Sequence, residues 1–269
     1  YSSGVTSTGQ SFSNEYKKQI VWIVSGIIIL ALMLFTRISQ IKSLSLYVYI
    51  FFILLLIFTR LFGKVVNGAR SWIGFQDFGI QPSEFAKIAT ILFLAFYYDV
   101  VGKKIVKLRY FLLGFLIILI PVFLIVIQPD LGTSLVYFPI FFIMAVVTGA
   151  RIRHILFVLI TGILLVVLTI LPYVENFIIG IEYPVFAFLQ DILMLRIILI
   201  FLAAIIGIAS WGFFYFKKEV YYWIMYGFSM FFIALPGPVV LGSFIQDYQI
   251  KRIISFLNPY IDRRDAGWN

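Results

Sequence analysis

Glu84 and Lys87 are the two residues of this chain whose types and spacing are best suited to chemistry. They stand three residues apart at the start of a long apolar run, so on a helix they share one face and can form an ion pair. Ionisable side chains at a membrane boundary are costly and are by default a functional-site hypothesis. The alternative is that Glu84 only interacts with the positive end of a helix dipole. Lys87 argues against it, because a cation one turn deeper needs a partner.

The polar segment before this pair, residues 68–87, reads GARSWIGFQDFGIQPSEFAK and separates two apolar runs. Arg70 and Trp72 offer a cation and a flat aromatic face, although Trp72 is equally typical of an interfacial anchor. A proline stands near the first position of the next helix, which Gln81 or Ser83 could cap. The candidate substrate-binding residues of this segment are Arg70, Trp72, Gln81 and Ser83.

A second polar segment, QPDLGT at residues 128–133, interrupts the apolar stretch 109–149. Asp130 follows a proline at a helix break, where a carboxylate can face water. Its structural alternative is the N-cap of a helix that starts at Leu131. The two interpretations are compatible, because capping would hold the carboxylate in place. We therefore group Asp130 with Glu84 and Lys87 as candidate catalytic residues and take Gln128 as substrate-binding.

A third segment, DYQIKRIISFLNP at residues 247–259, has apolar residues at helical spacing and Lys251 and Arg252 on the other face. This pattern predicts an amphipathic helix on the membrane surface. Lys251 and Arg252 would either attract lipid headgroups or clamp a pyrophosphate, for which arginine gives bidentate contacts.

The composition predicts an all-α, polytopic membrane protein. Hydrophobic residues make up 62% of the chain and charged residues 12%, whereas a soluble domain carries roughly 25% charged residues. The apolar runs are continuous and lack the alternation of an outer-membrane barrel. By length and hydropathy we predict about eight transmembrane helices, near residues 19–36, 43–63, 84–101, 109–127, 131–149, 154–173, 193–216 and 220–244.

The net charge of +9 is explained by the loops and needs no nucleic acid partner. Basic residues concentrate in alternate loops, which predicts that those loops are cytoplasmic and that the three polar segments are external. The chain has no cysteine, so disulfides and thiolate chemistry are excluded. His154, the one histidine, is interpreted as an interfacial residue.

Together the three segments, in this order and with spans between them, resemble the SEDS family (shape, elongation, division and sporulation). The third segment resembles the RodA branch more than the FtsW branch. The resemblance implies a peptidoglycan glycosyltransferase of the bacterial cytoplasmic membrane, which polymerises lipid II for cell elongation and rod shape. It also implies undecaprenyl pyrophosphate as leaving group, a class B penicillin-binding protein as partner, and functional roles for Trp72, Glu84, Lys87 and Asp130. A divalent cation, Mg²⁺ or Mn²⁺, is a further expectation.

The chain departs from the family pattern in three places. Residues 1–269 are expected to form a single SEDS-type domain that is cut at both ends. The family's catalytic base lies in a later external loop, beyond residue 269, so this piece is expected to be inactive alone. Residues 174–244 are expected to contain an inserted pair of helices.

Two other functions stay open at this point. A flippase or transporter for a lipid-linked precursor would also place charged residues near broken helices. A non-catalytic scaffold for a penicillin-binding protein would need only the membrane-embedded surface. Lipid II polymerisation, and lipid II flipping without polymerisation, would discriminate between these functions.

Overall fold

The structure is a computed structural model that describes residues 13–66, 69–75, 78–174, 189 and 191–242. It is mostly helical. In chain order the elements are α1 (Ser13–Leu34), α2 (Ile38–Phe62), β1 (Lys64–Val66), β2 (Ala69–Phe75), β3 (Phe78–Ile80), α3 (Pro82–Val101), a 3₁₀ helix (Gly102–Val106), α4 (Leu108–Ile127), α5 (Leu131–Leu135), α6 (Tyr137–Val147), α7 (Ile152–Val174), α8 (Ile192–Phe216), α9 (Glu219–Ala234) and α10 (Gly237–Gly242).

The predicted polytopic bundle is confirmed. Within the described residues, six helical stretches are long and apolar enough to cross a membrane, namely Ile38–Phe62, Pro82–Val106, Leu108–Ile127, Ile152–Pro172, Ile192–Phe216 and Glu219–Val240. Two shorter apolar stretches, Gln19–Leu32 and Leu131–Val147, lie where the remaining two spans were predicted. The hydropathy pattern therefore located the six long spans, because a membrane-spanning segment must satisfy its backbone internally as a helix.

A small antiparallel sheet between α2 and α3 was not predicted. Its strand order is β1-β2-β3, with Val66 paired to Ala69 and Phe75 paired to Phe78. The predicted helical fold class holds for the chain, and the sheet is a local addition in a segment that was expected to be a polar loop. The physical reason is local, since residues 69–75 are rich in the aromatic and β-branched residues that suit a pleated surface.

The core beneath the polar segments joins four helices. Leu56 of α2, Ala86 of α3, Ile125 of α4 and Tyr137 of α6 are buried in one cluster. A second cluster, with Leu94, Phe111, Phe141, Ala145 and Ile155 among its members, packs α3, α4, α6 and α7 together. The ends of α2, α3, α4 and α6 are thereby fixed relative to one another, which is what a site assembled from separate segments needs.

The helix pair predicted as an insertion packs on α7. Leu195 and Leu202 of α8 share a buried cluster with Leu189 and Leu235, and Leu168 of α7 packs against it. Helix α8 begins at the N-cap Asp191, whose carboxylate accepts hydrogen bonds from the backbone N–H groups of residues 193 and 194. The boundaries of the insertion, 174–244, stay a prediction.

Two side-chain contacts join helix ends that the charge pattern predicts on the same side. Lys42, near the start of α2, forms a 2.8 Å ion pair with Asp99, near the end of α3. The Tyr226 hydroxyl of α9 donates a 2.6 Å hydrogen bond to the Arg153 carbonyl at the start of α7. Both contacts agree with the predicted alternation of the spans.

We expect Gly212→Ala to destabilise the α8–α9 pair. A Cβ at Gly212 would lie 2.7 Å from ring atoms of Tyr221, and overpacking of this kind costs about 1–3 kcal/mol. Gly207→Ala on the same helix is the matched control, because a Cβ there meets nothing within 4 Å. The midpoint of thermal unfolding in detergent should fall for Gly212→Ala and should stay constant or rise for Gly207→Ala. Equal midpoints would contradict the packing of this pair.

Candidate functional site

The start of α3 brings Glu84 and Lys87 together as predicted. Helix α3 has Pro82 at its first position and Glu84 in its first turn, so Glu84 and Lys87 share a face. The Lys87 Nζ lies 2.8 Å from Glu84 Oε2 and 2.9 Å from Oε1. The Glu84 side chain is 52% exposed, whereas that of Lys87 is 18% exposed. The ion pair therefore presents its carboxylate outward while its cation reaches back from a more buried position.

A long-range hydrogen bond links the first polar segment to the second. The Gln81 Nε2 donates to Asp130 Oδ2 at 2.8 Å, across 49 positions of sequence. Gln81 is the N-cap residue of α3, but its side chain makes no capping hydrogen bond there. The prediction that Gln81 or Ser83 caps this helix with its side chain is therefore wrong, because the Gln81 amide is turned toward Asp130.

Asp130 is fixed by its position at a helix start. It is the N-cap of α5, and its Oδ1 accepts a 3.2 Å hydrogen bond from the Thr133 backbone N–H. The predicted capping role is confirmed. With Oδ1 turned to the helix and Oδ2 turned to Gln81, the carboxylate is held at the junction of α3, α4 and α5.

Two of the predicted substrate-binding residues are buried beneath this junction. Gln128 is fully buried, and its Nε2 donates to the Leu56 carbonyl of α2 at 2.8 Å. Ser83 is also fully buried, and its carbonyl accepts a 3.4 Å hydrogen bond from the Tyr137 hydroxyl. Neither side chain lines an open surface in this structure, where both support the helix ends, and their contact with substrate stays a prediction.

The remaining polar atoms of these two residues are unsatisfied. Ser83 Oγ and Gln128 Oε1 are buried and have no hydrogen-bond partner among the described residues. Buried polar groups are nearly always paired, and an unpaired one is costly. These two unpaired polar atoms belong to residues two positions from Gln81 and Asp130, so the interior next to the Gln81–Asp130 hydrogen bond is polar.

Strand β2 carries Arg70 and Trp72 at the end of α2. The Arg70 Nη1 donates to the Leu61 carbonyl at 3.4 Å, in the last turn of α2, where a cation is favoured by the helix dipole. The Trp72 ring packs over Gly79 of β3, where an added Cβ would lie 2.9 Å from Trp72 Cε3. Both side chains are half-buried. The sheet thus supports Trp72 and anchors Arg70 next to the α2 end.

The third polar segment lies outside the described residues. Lys251 and Arg252, with the amphipathic helix predicted for residues 247–259, are among the residues of which the structure gives no description. Their place beside Asp130 stays a prediction.

The described carboxylates are poorly suited to hold a metal ion on their own. Both Glu84 oxygens face Lys87, and both Asp130 oxygens accept hydrogen bonds. Among the residues that the structure describes, no group of three or more His, Asp or Glu side chains is close enough to form a metal site. The described residues therefore do not fit a cation held by their side chains alone.

Sequence reasoning missed Tyr137 as a member of this site. Tyr137 is fully buried at the start of α6, and its hydroxyl ties that helix to the first turn of α3. Its sequence context is uniformly apolar, so only the hydroxyl distinguishes it from a core aromatic. The sheet that holds Trp72 was missed as well.

Fold and site together define a multi-pass membrane protein with a polar site built from helix ends and one small sheet. Residues 1–183 match the FtsW/RodA/SpoVE family of cell cycle proteins. The chain belongs to this family, which is the family that its three motifs resemble.

Individual relatives agree with this assignment. The chain is 41% identical, over its whole length, to the peptidoglycan glycosyltransferase RodA of Treponema pallidum, of which it covers 62%. It is 44% identical over 121 residues to the stage V sporulation protein E of Bacillus subtilis, covering 45% of this chain and 33% of that protein. The chain thus spans less than two thirds of the length of these relatives.

A solved structure shows the same fold. The crystal structure of the Thermus thermophilus rod shape determining protein RodA superposes with a TM-score of 0.50 at 21% identity, covering 93% of this chain and 77% of that one. At this identity the likeness concerns the fold alone.

Proposed function

We propose that the full-length protein is a peptidoglycan glycosyltransferase that polymerises lipid II during cell elongation and rod-shape maintenance. The observation that carries this proposal is the Gln81–Asp130 hydrogen bond at 2.8 Å. It joins the two motifs of the family resemblance into one polar site, next to the Glu84–Lys87 pair. The 41% identity to a protein called a peptidoglycan glycosyltransferase supports the same reaction.

In the proposed reaction, the 4-hydroxyl of one lipid-linked sugar attacks the anomeric carbon of the growing glycan strand. The new bond joins that oxygen to the anomeric carbon, and the bond from the anomeric carbon to the pyrophosphate oxygen breaks. The hydroxyl proton passes to a general base, and undecaprenyl pyrophosphate leaves with the bonding electrons. None of the described residues acts as the general base in this scheme. We propose that the base belongs to a later external loop, beyond residue 269.

Cationic side chains have the second task, which is to stabilise charge on the leaving pyrophosphate. Lys87 is held by Glu84, and Arg70 is held at the end of α2, so both cations are positioned before substrate binds. We propose that Glu84 orients Lys87 and that Asp130 orients the reacting sugar. Trp72 offers a flat surface for a sugar ring. Lys251 and Arg252 extend the cationic clamp in this proposal.

The site is proposed to face the external side of the bacterial cytoplasmic membrane. The alternation of basic loops along the sequence supports an external position for the polar ends of α2, α3 and α4. Lipid II polymerised there would be crosslinked by a class B penicillin-binding protein, which we propose as the partner. The membrane-embedded helices offer ample exposed apolar surface for lipids and for a partner's span.

A divalent cation, Mg²⁺ or Mn²⁺, stays a proposal of its own. Mg²⁺ is commonly held by one or two carboxylates together with substrate phosphates, which is compatible with a site that lacks a protein cage. When bound, such an ion would neutralise charge on the pyrophosphate. The rate of polymerisation measured after chelation, and again with each ion restored, tests this point.

The proposed function is tested with the full-length protein and its penicillin-binding protein partner. Purified labelled lipid II should be converted into glycan strands that a muramidase digests. In vesicles loaded with labelled lipid II on the inner leaflet, the protein should not accelerate its appearance outside. Flipping without polymerisation would replace this proposal with the transporter, and neither activity would favour the scaffold.

A further inference from the structure

The ends of α7, α8 and α9 opposite the candidate site form a strongly basic patch. Arg151 and Arg153 stand at the start of α7, and Lys217 and Lys218 form the turn between α8 and α9. All four side chains are exposed. Glu219 is the one acidic residue in these two short segments, and none of the four cations has an ion pair among the described residues. We call these four cations the basic patch.

The patch is organised by contacts between α7 and α9. The Arg153 guanidinium carbon lies 5.9 Å from the centroid of the Tyr222 ring, within the range of a cation–π contact. The Tyr226 hydroxyl donates to the Arg153 carbonyl at 2.6 Å, which ties the start of α7 to the second turn of α9. Lys218 is the N-cap of α9, one turn before Tyr222. Arg153 is therefore held over the Tyr222 ring, and Lys218 stands at the start of the same helix.

The backbone adds to the positive potential of the patch. Helices α7 and α9 both begin here, so two helix N-termini with unpaired N–H groups lie side by side. Lys217 has a left-handed backbone (φ 52°) and closes α8, which places two consecutive lysines in a tight turn. Exposed cations, helix dipoles and an oriented guanidinium all favour an anion at this position.

Exposed aromatic residues locate the patch at the membrane surface. Trp211, Tyr215 and Trp223 are 65%, 70% and 58% exposed on the same helix ends. Tryptophan and tyrosine are enriched at the level of lipid headgroups. Basic pockets between spans at this level are typical binding sites for anionic headgroups. A protein partner would need no such aromatic border, so the border favours lipid.

We propose that the basic patch binds the phosphate of an anionic phospholipid headgroup, with Arg153 and Lys218 as its principal contacts. The site is separate from the candidate glycosyltransferase site and does not depend on the reaction proposed for that site. It gives the α8–α9 pair a role in anchoring α7 to one leaflet.

The test is native mass spectrometry of the full-length protein released from micelles that contain phosphatidylglycerol or phosphatidylcholine. One phosphatidylglycerol should be retained in a saturable manner, and phosphatidylcholine should not. Because one cation near a membrane surface contributes roughly a fivefold change in binding, Arg153→Gln with Lys218→Gln should lower the affinity about 25-fold.

The matched control is Lys103→Gln with Lys104→Gln. These two cations are exposed, lie in the 3₁₀ helix on the same predicted side, and have no aromatic ring beneath them among the residues that the structure describes. Their removal should lower the affinity less than threefold. Equal losses in the two double variants, or equal retention of the two lipids, would overturn the proposal in favour of general surface charge.

Two further experiments test whether the site recognises a lipid and whether the turn between α8 and α9 contributes to binding. Glycerol phosphate at the concentration at which phosphatidylglycerol saturates the site should not compete; if it does, the site is one for soluble phosphate. Lys217→Gln with Lys218→Gln is the second test variant, because these exposed side chains lie in the turn between α8 and α9. It should also weaken retention of phosphatidylglycerol while the unfolding midpoint in phosphatidylcholine micelles stays at the wild-type value.

Discussion

Asp130→Ala is expected to lower lipid II polymerisation by the full-length protein about 100-fold or more. This is the usual loss when one preorganised polar contact to a transition state is removed. The substitution removes three things at once: a negative charge, the acceptor for the Gln81 amide, and the N-cap of α5. The measurement is the initial rate of glycan-strand formation with the penicillin-binding protein present.

The control for the capping role is Asp191→Ala. Asp191 is also an N-cap, and its carboxylate accepts hydrogen bonds from the backbone N–H groups of residues 193 and 194 in α8. Loss of a cap costs about 1 kcal/mol in either variant. Polymerisation should therefore survive in Asp191→Ala and fail in Asp130→Ala at similar unfolding midpoints. Full activity of Asp130→Ala would remove this residue from the site.

Gln81→Ala tests the Gln81–Asp130 hydrogen bond separately from the negative charge of Asp130. It leaves the Asp130 carboxylate and its cap to Thr133 in place but removes the donor at Oδ2. If the hydrogen bond positions the carboxylate, the rate should fall about tenfold, less than in Asp130→Ala. An unchanged rate would leave the two motifs as neighbours without a shared task.

The parts of the site that could be predicted are the local ones. The Glu84–Lys87 pair follows from a spacing of three on a helix, and the Asp130 cap follows from an acidic residue just before an apolar helical run. The spans follow from hydropathy, because lipid leaves the backbone few alternatives. Each of these inferences needs only a few neighbouring residues.

The parts that could not be predicted depend on packing between distant segments. The Gln81–Asp130 bond spans 49 positions and the Gln128–Leu56 bond spans 72, so neither has a local signal. The burial of Ser83 follows from its place on the inner face of α3 beneath α6. The sheet was missed because its two short strands have only three residues each.

Basic residues in the loops of a membrane protein can reflect its orientation in the membrane, the binding of an anion, or both. Basic residues in alternate loops were sufficient to predict the orientation of the spans. The structure adds that the start of α7, which carries Arg151 and Arg153, is tied to α9 next to the Lys217–Lys218 turn, with Arg153 over the Tyr222 ring, whereas Lys42 is paired with Asp99. Orientation requires only that the charges lie on one side, and binding an anion requires in addition that they converge.

The second large effect is expected for the charge reversal of the Glu84–Lys87 pair. Glu84→Lys combined with Lys87→Glu retains an ion pair three residues apart. It moves the positive charge to the more exposed position 84 and the negative charge to the more buried position 87. If the pair only stabilises α3, the double variant should be as active as the wild type. If Lys87 acts on the leaving pyrophosphate, polymerisation should stay about 100-fold below the wild-type rate, because the cation has moved outward and a carboxylate replaces it.

The Lys42–Asp99 pair provides the matched control at the opposite end of the same helices. Its separation is also 2.8 Å, and both partners are exposed, so it contributes about 0–1 kcal/mol to stability. Lys42→Asp with Asp99→Lys should retain polymerisation, and both double variants should insert and unfold like the wild type. Recovery of full activity in the Glu84→Lys, Lys87→Glu variant would assign the pair to stability alone, and the cationic task would then fall to residues such as Arg70.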